Sequence, residues 1–464
     1  MRIYNTLSRK LEDFQPLIPN HVSIYCCGPT VYDYTHIGHL FKYIMDDTIV
    51  RTLRHLGYKV KHVMNITDVG HLVSDADAGE DKLEKGAKKT GKTVWEVAKF
   101  YTDQFTRSMR LVGVATPDIV CKATDHIAEI LNIIMILDQK GYTYDTPEAV
   151  YFDTSKFKGY GDLSGQKLEE KQKAVRAEVI DDPNKKHPSD FALWFKRVGR
   201  FANHSMYWNS PWGEGFPGWH IECSAMSMKY LGAQIDIHTG GIDHIPVHHP
   251  NEIAQSETSS GKSPFVRYWI HHNFIKVDGQ KMSKSLGNYL TIDDIISKQM
   301  DPFALRLLFL QTHYRSESNF TWDALAGATN ALKKLQTIYS QLPEGSTDID
   351  ISKSQYYIDF ERAISEDFNF AKSIGILWDV IKSDIDSHAK RQHIDIFNQV
   401  LGINLGAKTV DKDLPEEAKR LMQARHEAKL AHNYALADDL RRQIVSIGYE
   451  INDDKDGNSK LCKV

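Results

Sequence analysis

Cysteine is scarce in this chain: there are five in 464 residues, at Cys26, Cys27, Cys121, Cys223 and Cys462. An odd and sparse set does not build a disulfide framework. No C-x-x-C pair occurs, which speaks against a zinc knuckle. Long hydrophobic runs are missing as well. The most apolar stretch, residues 127–137, is broken by Glu129 and Asn132 and is far too short to cross a bilayer. No strong charge of one sign is present, because the formal net charge is −4. From Glu416 onward nine basic residues face nine acidic ones, so the C-terminus is no basic tail. Charge alone selects neither nucleic acid nor a membrane surface as partner. The opening residues Met1-Arg2-Ile3-Tyr4-Asn5 lack the pattern of a secretory leader, and the expected compartment is the cytoplasm. Internal repeats and low-complexity runs are also missing.

What is there is the composition of a globular enzyme, 41% hydrophobic and 25% charged. At roughly 150 residues per domain the length predicts about three domains. Val22, Ile24, Tyr25, Cys26 and Cys27 form an apolar run that predicts a buried strand, closed by Gly28-Pro29-Thr30. From Ile37 an i, i+3, i+4 stripe through Leu40, Phe41, Ile44, Ile49 and Leu53 predicts a helix stopped by Gly57. A second strand is expected at residues 60–67. Strand, helix and strand make a parallel βαβ unit, the start of a doubly wound, Rossmann-type α/β sheet. Glycine and proline punctuate residues 113–218, which read as an insertion. Strand character returns at residues 234–238 and near residues 268–277. From Pro302 the pattern is almost wholly helical, with a linker at Pro343-Glu344-Gly345-Ser346. Pro415 suits the first position of a further helix. Two helices ending near Gly448, a short strand at residues 449–451 and a polar tail complete the chain.

Two short words carry chemistry. His36-Ile37-Gly38-His39 stands where the first strand passes into its helix. A helix N-terminus offers free N–H groups and partial positive charge to phosphates, and Gly38 leaves room for close approach. Lys281-Met282-Ser283-Lys284-Ser285 follows the turn Asp278-Gly279. Two lysines in one loop can neutralise charge that develops on a pyrophosphate in the transition state.

In this order the two words match HIGH and KMSKS, and the chain resembles class I aminoacyl-tRNA synthetases. The surrounding words resemble the cysteinyl branch: residues 25–33, Asn65-Ile66-Thr67-Asp68, residues 217–224, Asp236-Ile237-His238, Gly240-Gly241-Ile242-Asp243, and His248-His249 with Asn251-Glu252-Ile253-Ala254. The resemblance implies ATP, with Mg2+, and L-cysteine as substrates, tRNA(Cys) as partner, no membrane, and action as a monomer. It implies one zinc ion per chain on Cys27, Cys223, His248 and Glu252. Zinc favours thiolate sulfur, so a substrate thiol is told from a hydroxyl by metal ligation. It further implies that His36, Gly38, His39, Lys281 and Lys284 act on the triphosphate, with Gly240, Gly241 and Asp243 beside adenosine. Trp219 walls the amino-acid pocket opposite Gly28 and Thr30, and His220 and His238 lie near the metal. The implied organisation is a catalytic domain over residues 1–310, a tRNA-binding helical bundle over 311–405 and a small anticodon-recognising domain over 406–464.

Three departures from the family pattern stand out. Pro250 replaces a glutamate, in a first helical turn that tolerates proline. Val69-Gly70-His71 and the residues up to Asp81-Lys82 replace a common acidic run. Leu461 stands near a usual tryptophan, which leaves Tyr434 as an aromatic surface for an unstacked base. Two rival readings remain at this level. One is a related ligase joining cysteine to an amino-sugar inositol, which lacks the long helical C-terminus. The other is an inactive RNA-binding paralogue, against which the intact motifs count.

Overall fold

The computed structural model describes residues 1–70, 81–165, 183–284, 286–345, 349–406, 415–431, 433–453 and 459–463. The chain divides into two units, Met1–Ala328 with Ser346–Ile403, and Thr329–Gly345 with Asn404–Val464.

The first unit is organised by five strands: β1 (His21–Cys26), β2 (Lys59–Ile66), β3 (Ile119–Lys122), β4 (Ile235–Gly241) and β5 (Val266–His272). They lie in the order β5-β4-β1-β2-β3, and every pairing is parallel. Ile24 sits opposite His62 on one side and Ile237 on the other. A sheet covered on both faces needs continuous apolar strands, and Ile24, Tyr25, Cys26, Ile235 and Ile237 are all fully buried. Chain order reverses between β1 and β4. Beyond the carboxyl ends of such strands lies the crevice where doubly wound sheets bind ligands.

Helix α1 (Ile37–His55) joins β1 to β2 and buries the predicted stripe, from Ile37 through Leu53. Gly57 closes it at φ +87°. Helices α2 (Trp219–Leu231) and α3 (His248–Ser260) flank β4 in sequence. The span read as an insertion holds a four-stranded antiparallel sheet of Thr143–Asp145, Ala149–Phe152, Phe191–Lys196 and Gly215–Pro217. The parallel sheet, however, continues past residue 113, because β3 pairs with β2.

Beyond Pro302 the helical expectation needs one correction. Ser318–Phe320 is a strand that pairs in parallel with Ile275–Val277. Three residues carry no readable periodicity, and the pairing is decided by the neighbouring strand. Helices Pro302–Leu310, Gln355–Ser365, Phe370–Lys382 and Ser387–Leu401 follow in the same unit. A buried arginine ties them to α1. Arg306 is fully buried; it donates to Asp47 Oδ2 at 2.6 Å, to the Leu401 carbonyl at 2.7 Å and to the Gly113 carbonyl at 3.1 Å. Asp47 belongs to α1, so one guanidinium joins three segments.

The second unit has its own core. Helices Glu416–Leu430 and Tyr434–Ser446 enclose Ala418, Leu421, Leu440 and Ile444 together with Tyr449. Pro415 is the cap residue and the helix starts at Glu416, one residue later than expected. The polar tail is not shapeless either: Ser459–Lys463 returns antiparallel to Tyr449–Asp453. Most of the altered loop, residues 71–80, lies outside the described residues.

One consequence for stability arises in β2. His62 is buried, and loss of solvent pushes its pKa down to about 4. Its unfolded value is near 6.5, so below that pH the unfolded chain takes up a proton that the folded one refuses. Stability is therefore lost as pH falls from about 6.5 towards 4, by about 3 kcal/mol from this group alone. Thermal melts between pH 7 and 4 should show the loss, and a His62→Gln variant should show a shallower dependence.

Candidate functional site

The carboxyl ends of β1 and β4 deliver Cys27 and His238 to one place, and α2 and α3 close it with Cys223, His248 and Glu252. Ligand-type atoms of Cys27, Cys223 and His248 all lie within 4.8 Å of one another. Cys27 Sγ is 3.9 Å from His248 Nε2, which is 3.0 Å from Glu252 Oε1. His248 and Glu252 are i, i+4 on α3, so one helix turn brings them onto the same face. All four side chains are buried.

The outer contacts fix these groups. Glu252 Oε2 accepts a hydrogen bond from His238 Nε2 at 2.9 Å. His248 Nδ1 faces His220 Nδ1 at 2.8 Å, which leaves Nε2 turned towards the two sulfurs. Glu252 Oε1 is fully buried and faces the ring nitrogens of His248 at 3.0 Å and His249 at 3.8 Å. His248 is the nearer, and a buried carboxylate of this kind needs a cationic partner, a protonated imidazole or a metal ion. Two thiols, an imidazole and a carboxylate are the donor set that zinc prefers, and an imidazole anchored through its other nitrogen is the usual metal-ligand arrangement.

Protons would have to leave this cluster for a metal to enter, because a metal takes thiolate and neutral imidazole. Within the Cys27–Cys223 pair the negative charge settles on Cys27: a hydrogen bond from Cys223 lowers it well below the ordinary thiol value, against burial and with help from His244 and His248. Burial opposes charge on His248, but Glu252 and Cys27 outweigh it and bring its pKa up to about 10.

Trp219 borders this cluster, its ring 4.4 Å from that of His248. Gly28 has a role in packing that sequence did not disclose. A Cβ there would lie 1.6 Å from the Asn65 carbonyl oxygen, and its N–H donates to Asn65 Oδ1 at 2.7 Å. Thr30 is bridged in parallel to Thr67. Gly240 is equally constrained, since a Cβ would stand 2.5 Å from the His249 ring. Gly241 leads into the turn Ile242–His244, which exposes Asp243 at the rim.

On the other side of β1 the start of α1 forms the second half of the site. His36 is the N-cap, and its Nδ1 accepts from the His39 N–H at 3.2 Å. The two rings stack with centroids 3.6 Å apart. Burial lowers the His36 pKa to about 4, so at neutral pH Nδ1 stays an acceptor and the proton sits on Nε2. Gly38 lies under Met282 of the lysine loop, and the Ile37 N–H donates to the Leu290 carbonyl at 2.9 Å. Lys284 pairs with Asp33 and lies over the Tyr289 ring at 4.9 Å. Lys281 is exposed at the end of the strand Gln280–Lys281. Ser285 lies outside the described residues.

The two halves are joined through α1. Lys42 donates to the Cys27 carbonyl at 2.5 Å and to Asp46 at 2.8 Å, and His272 Nε2 meets Asp46 Oδ1 at 2.8 Å. Sequence reasoning missed Lys42, Asp46 and His272. It also missed His244 and His249, whose ring nitrogens gather with Cys27 Sγ, and His271, 2.7 Å from His249. The doubled His248-His249 was the available signal for His249. Nothing marked the others.

A family model for the class I (C) tRNA synthetase catalytic domain matches residues 13–330. The chain is 41% identical to the cysteine-tRNA ligase of Treponema denticola, over 98% of each chain. It is 42% identical to cysteine-tRNA ligase 1 of Burkholderia lata, over 98% of this chain and 96% of that one. Among solved structures it resembles a Mycobacterium tuberculosis methionyl-tRNA synthetase in complex with methionyl-adenylate. The TM-score is 0.55 at 14% identity, over 90% of this chain and 96% of that one, which supports the Rossmann-type α/β fold.

Proposed function

The chain belongs to the cysteine-tRNA ligase family of class I tRNA synthetases, and from that membership we propose how its own residues join L-cysteine to tRNA(Cys) at the expense of ATP. The observation that carries the proposal is the convergence of Cys27, Cys223, His248 and Glu252 at the switch point, beside the His36 helix start.

Cys27, Cys223, His248 and Glu252 would hold one zinc ion, and that ion supplies a position that ligates the substrate thiolate and discriminates against serine. Trp219 walls the amino-acid pocket, with Gly28 and Thr30 opposite. His220 and His238 keep the ligands oriented. Gly240, Gly241 and Asp243 receive adenosine at the end of β4.

Activation brings the cysteine carboxylate in line with the α-phosphate of Mg2+-bound ATP, and the cysteinyl-adenylate forms as pyrophosphate leaves. The protein contributes position and charge to this step. His36 offers its Nε2–H, and His39 and the first turn of α1 face the triphosphate. Lys284 exchanges Asp33 for the departing pyrophosphate, with Lys281 beside it. The helical segment 311–405 and the small domain 406–464 bind the tRNA body and anticodon, with Tyr434 as a stacking surface. No helix among the described residues is long and apolar enough to cross a membrane. Action as a cytoplasmic monomer completes the reading.

Cysteine-dependent ATP–pyrophosphate exchange tests the proposal, followed by charging of tRNA(Cys). His39→Ala and Lys284→Ala should each slow activation about tenfold or more, on the order of 2 kcal/mol, with little change in cysteine KM. Wild-type activation in either variant would refute their assignment. Activation without tRNA charging, with transfer to an amino sugar instead, would favour the rival ligase.

A further inference from the structure

Cys27 stands one residue beyond the end of β1, where the sheet no longer pairs its backbone. The ladders to β2 and β4 both stop at Cys26. Three polar contacts take their place. The Cys27 N–H donates to the Thr239 carbonyl of β4 at 3.1 Å. The Gly28 N–H donates to Asn65 Oδ1 of β2 at 2.7 Å. The Cys27 carbonyl accepts from Lys42 Nζ of α1 at 2.5 Å. The last two contacts hold opposite edges of one peptide plane, and the first holds the plane before it. With both flanking planes fixed, φ and ψ of Cys27 are fixed too. Its Cα–Cβ bond then points one way, and that bond carries Sγ.

Lysine is an unusual choice for satisfying a carbonyl. The Lys42 side chain is only 12% exposed, and a lysine so far from water needs a charged partner. That partner is Asp46, one turn further along α1, at 2.8 Å. Asp46 is anchored in turn, because its other oxygen meets His272 Nε2 at the end of β5 at 2.8 Å. Burial opposes charge on Asp46, but Lys42 and His272 outweigh it and hold the carboxyl below its ordinary range. The ammonium therefore cannot swing away without leaving a buried carboxylate short of its cation. A charged donor also makes a stronger hydrogen bond than a neutral one. The grip on the Cys27 carbonyl is firm at both ends.

We propose that Lys42 is a positioning residue for amino-acid selection: by holding the Cys27 carbonyl it aims Cys27 Sγ at the zinc, and so sets the place left for the substrate thiolate. This rests on the zinc reading above and adds to it a residue outside the four ligands. The competing account is a brace for the fold alone, which would make stability and all kinetic constants fall together when Lys42 is removed.

Lys42→Met keeps the length of the side chain and removes the donor. In the zinc-loaded enzyme the KM for cysteine in pyrophosphate exchange should rise about tenfold, while the KM for ATP stays within about twofold. Serine makes little use of the metal, so the preference for cysteine over serine should fall by a similar factor. Cobalt(II) in place of zinc gives a readout that does not depend on turnover. Its sulfur-to-metal charge-transfer band should shift or weaken in Lys42→Met. Because that variant leaves Asp46 without its cation, a second one combines it with Asp46→Asn and removes both charges. The double variant should unfold at a urea concentration near that of the unmodified protein and show the same rise in cysteine KM. An unchanged cobalt spectrum or an unchanged cysteine KM would overturn the proposal. So would an equal rise in the KM for ATP, because Lys42 would then serve the nucleotide or the fold. Absence of bound metal and of cysteine-dependent exchange in the unmodified protein would instead strike the underlying zinc reading.

Discussion

A Cys223→Ser enzyme is expected to lose bound zinc and cysteine-dependent activation together, with kcat/KM for cysteine down by at least about a hundredfold, or about 3 kcal/mol. The substitution changes one atom, so packing at this buried position is preserved while a soft donor becomes a poor one. The partners explain the size of the effect. Without the second sulfur, His248 and Glu252 still face Cys27, but the remaining donors no longer match the preferred set. Metal content measured beside pyrophosphate exchange gives the check. A variant that keeps full exchange activity without metal would show that these four residues form a structural cluster and nothing more. Chelator treatment of the unaltered protein should reproduce the loss, and added zinc should reverse it.

The second large effect concerns folding. Arg306→Leu is expected to destabilise the first unit by about 3–5 kcal/mol, because it strands the Asp47 carboxylate in the interior. Arg51, 2.7 Å from Asp47, compensates only in part. The Leu401 and Gly113 carbonyls lose a donor as well. Removing both charges, as Asp47→Leu with Arg306→Leu, should cost clearly less than the sum of the single changes, because each charge is costly chiefly when alone. Urea unfolding followed through the first transition measures both. Additive losses would mean that the pair does not act as a unit.

How much of this was legible beforehand differs from place to place. β1, α1 and β2 could be read because α1 repeats its apolar stripe over about five turns and β1 ends in the buried apolar run Ile24-Tyr25-Cys26. The α/β class followed from their order. Ser318–Phe320 and Ser459–Lys463 could not be read, since short strands owe their existence to a partner elsewhere in the chain. Ile119–Lys122 was hidden by its place at the sheet edge, where only Cys121 is fully buried. The cluster around Cys27 was invisible to spacing, as Cys27 and His248 are 221 positions apart. It was reached through resemblance. Gly28 was named for the pocket, yet its immediate constraint is the Asn65 carbonyl. Lys42, Asp46 and His272 look like ordinary helix and strand residues until the fold places them under the Cys27 carbonyl.

That last arrangement bears on redesign. In the proposed reading the first turn of α1 faces the nucleotide, while its second turn grips, through Lys42, the backbone that presents Cys27. On that reading a single rod works as a ruler, and helix pitch rather than loop length sets the separation between where the amino acid would be chosen and where it would be activated. An engineer seeking a new amino-acid preference therefore has freedom on the α2 and α3 walls, at Trp219, Cys223 and His248, where exchanges leave the ruler intact. Inserting or deleting one residue between His39 and Lys42 would turn the two ends about 100° apart, and both recognition and activation would fail at once.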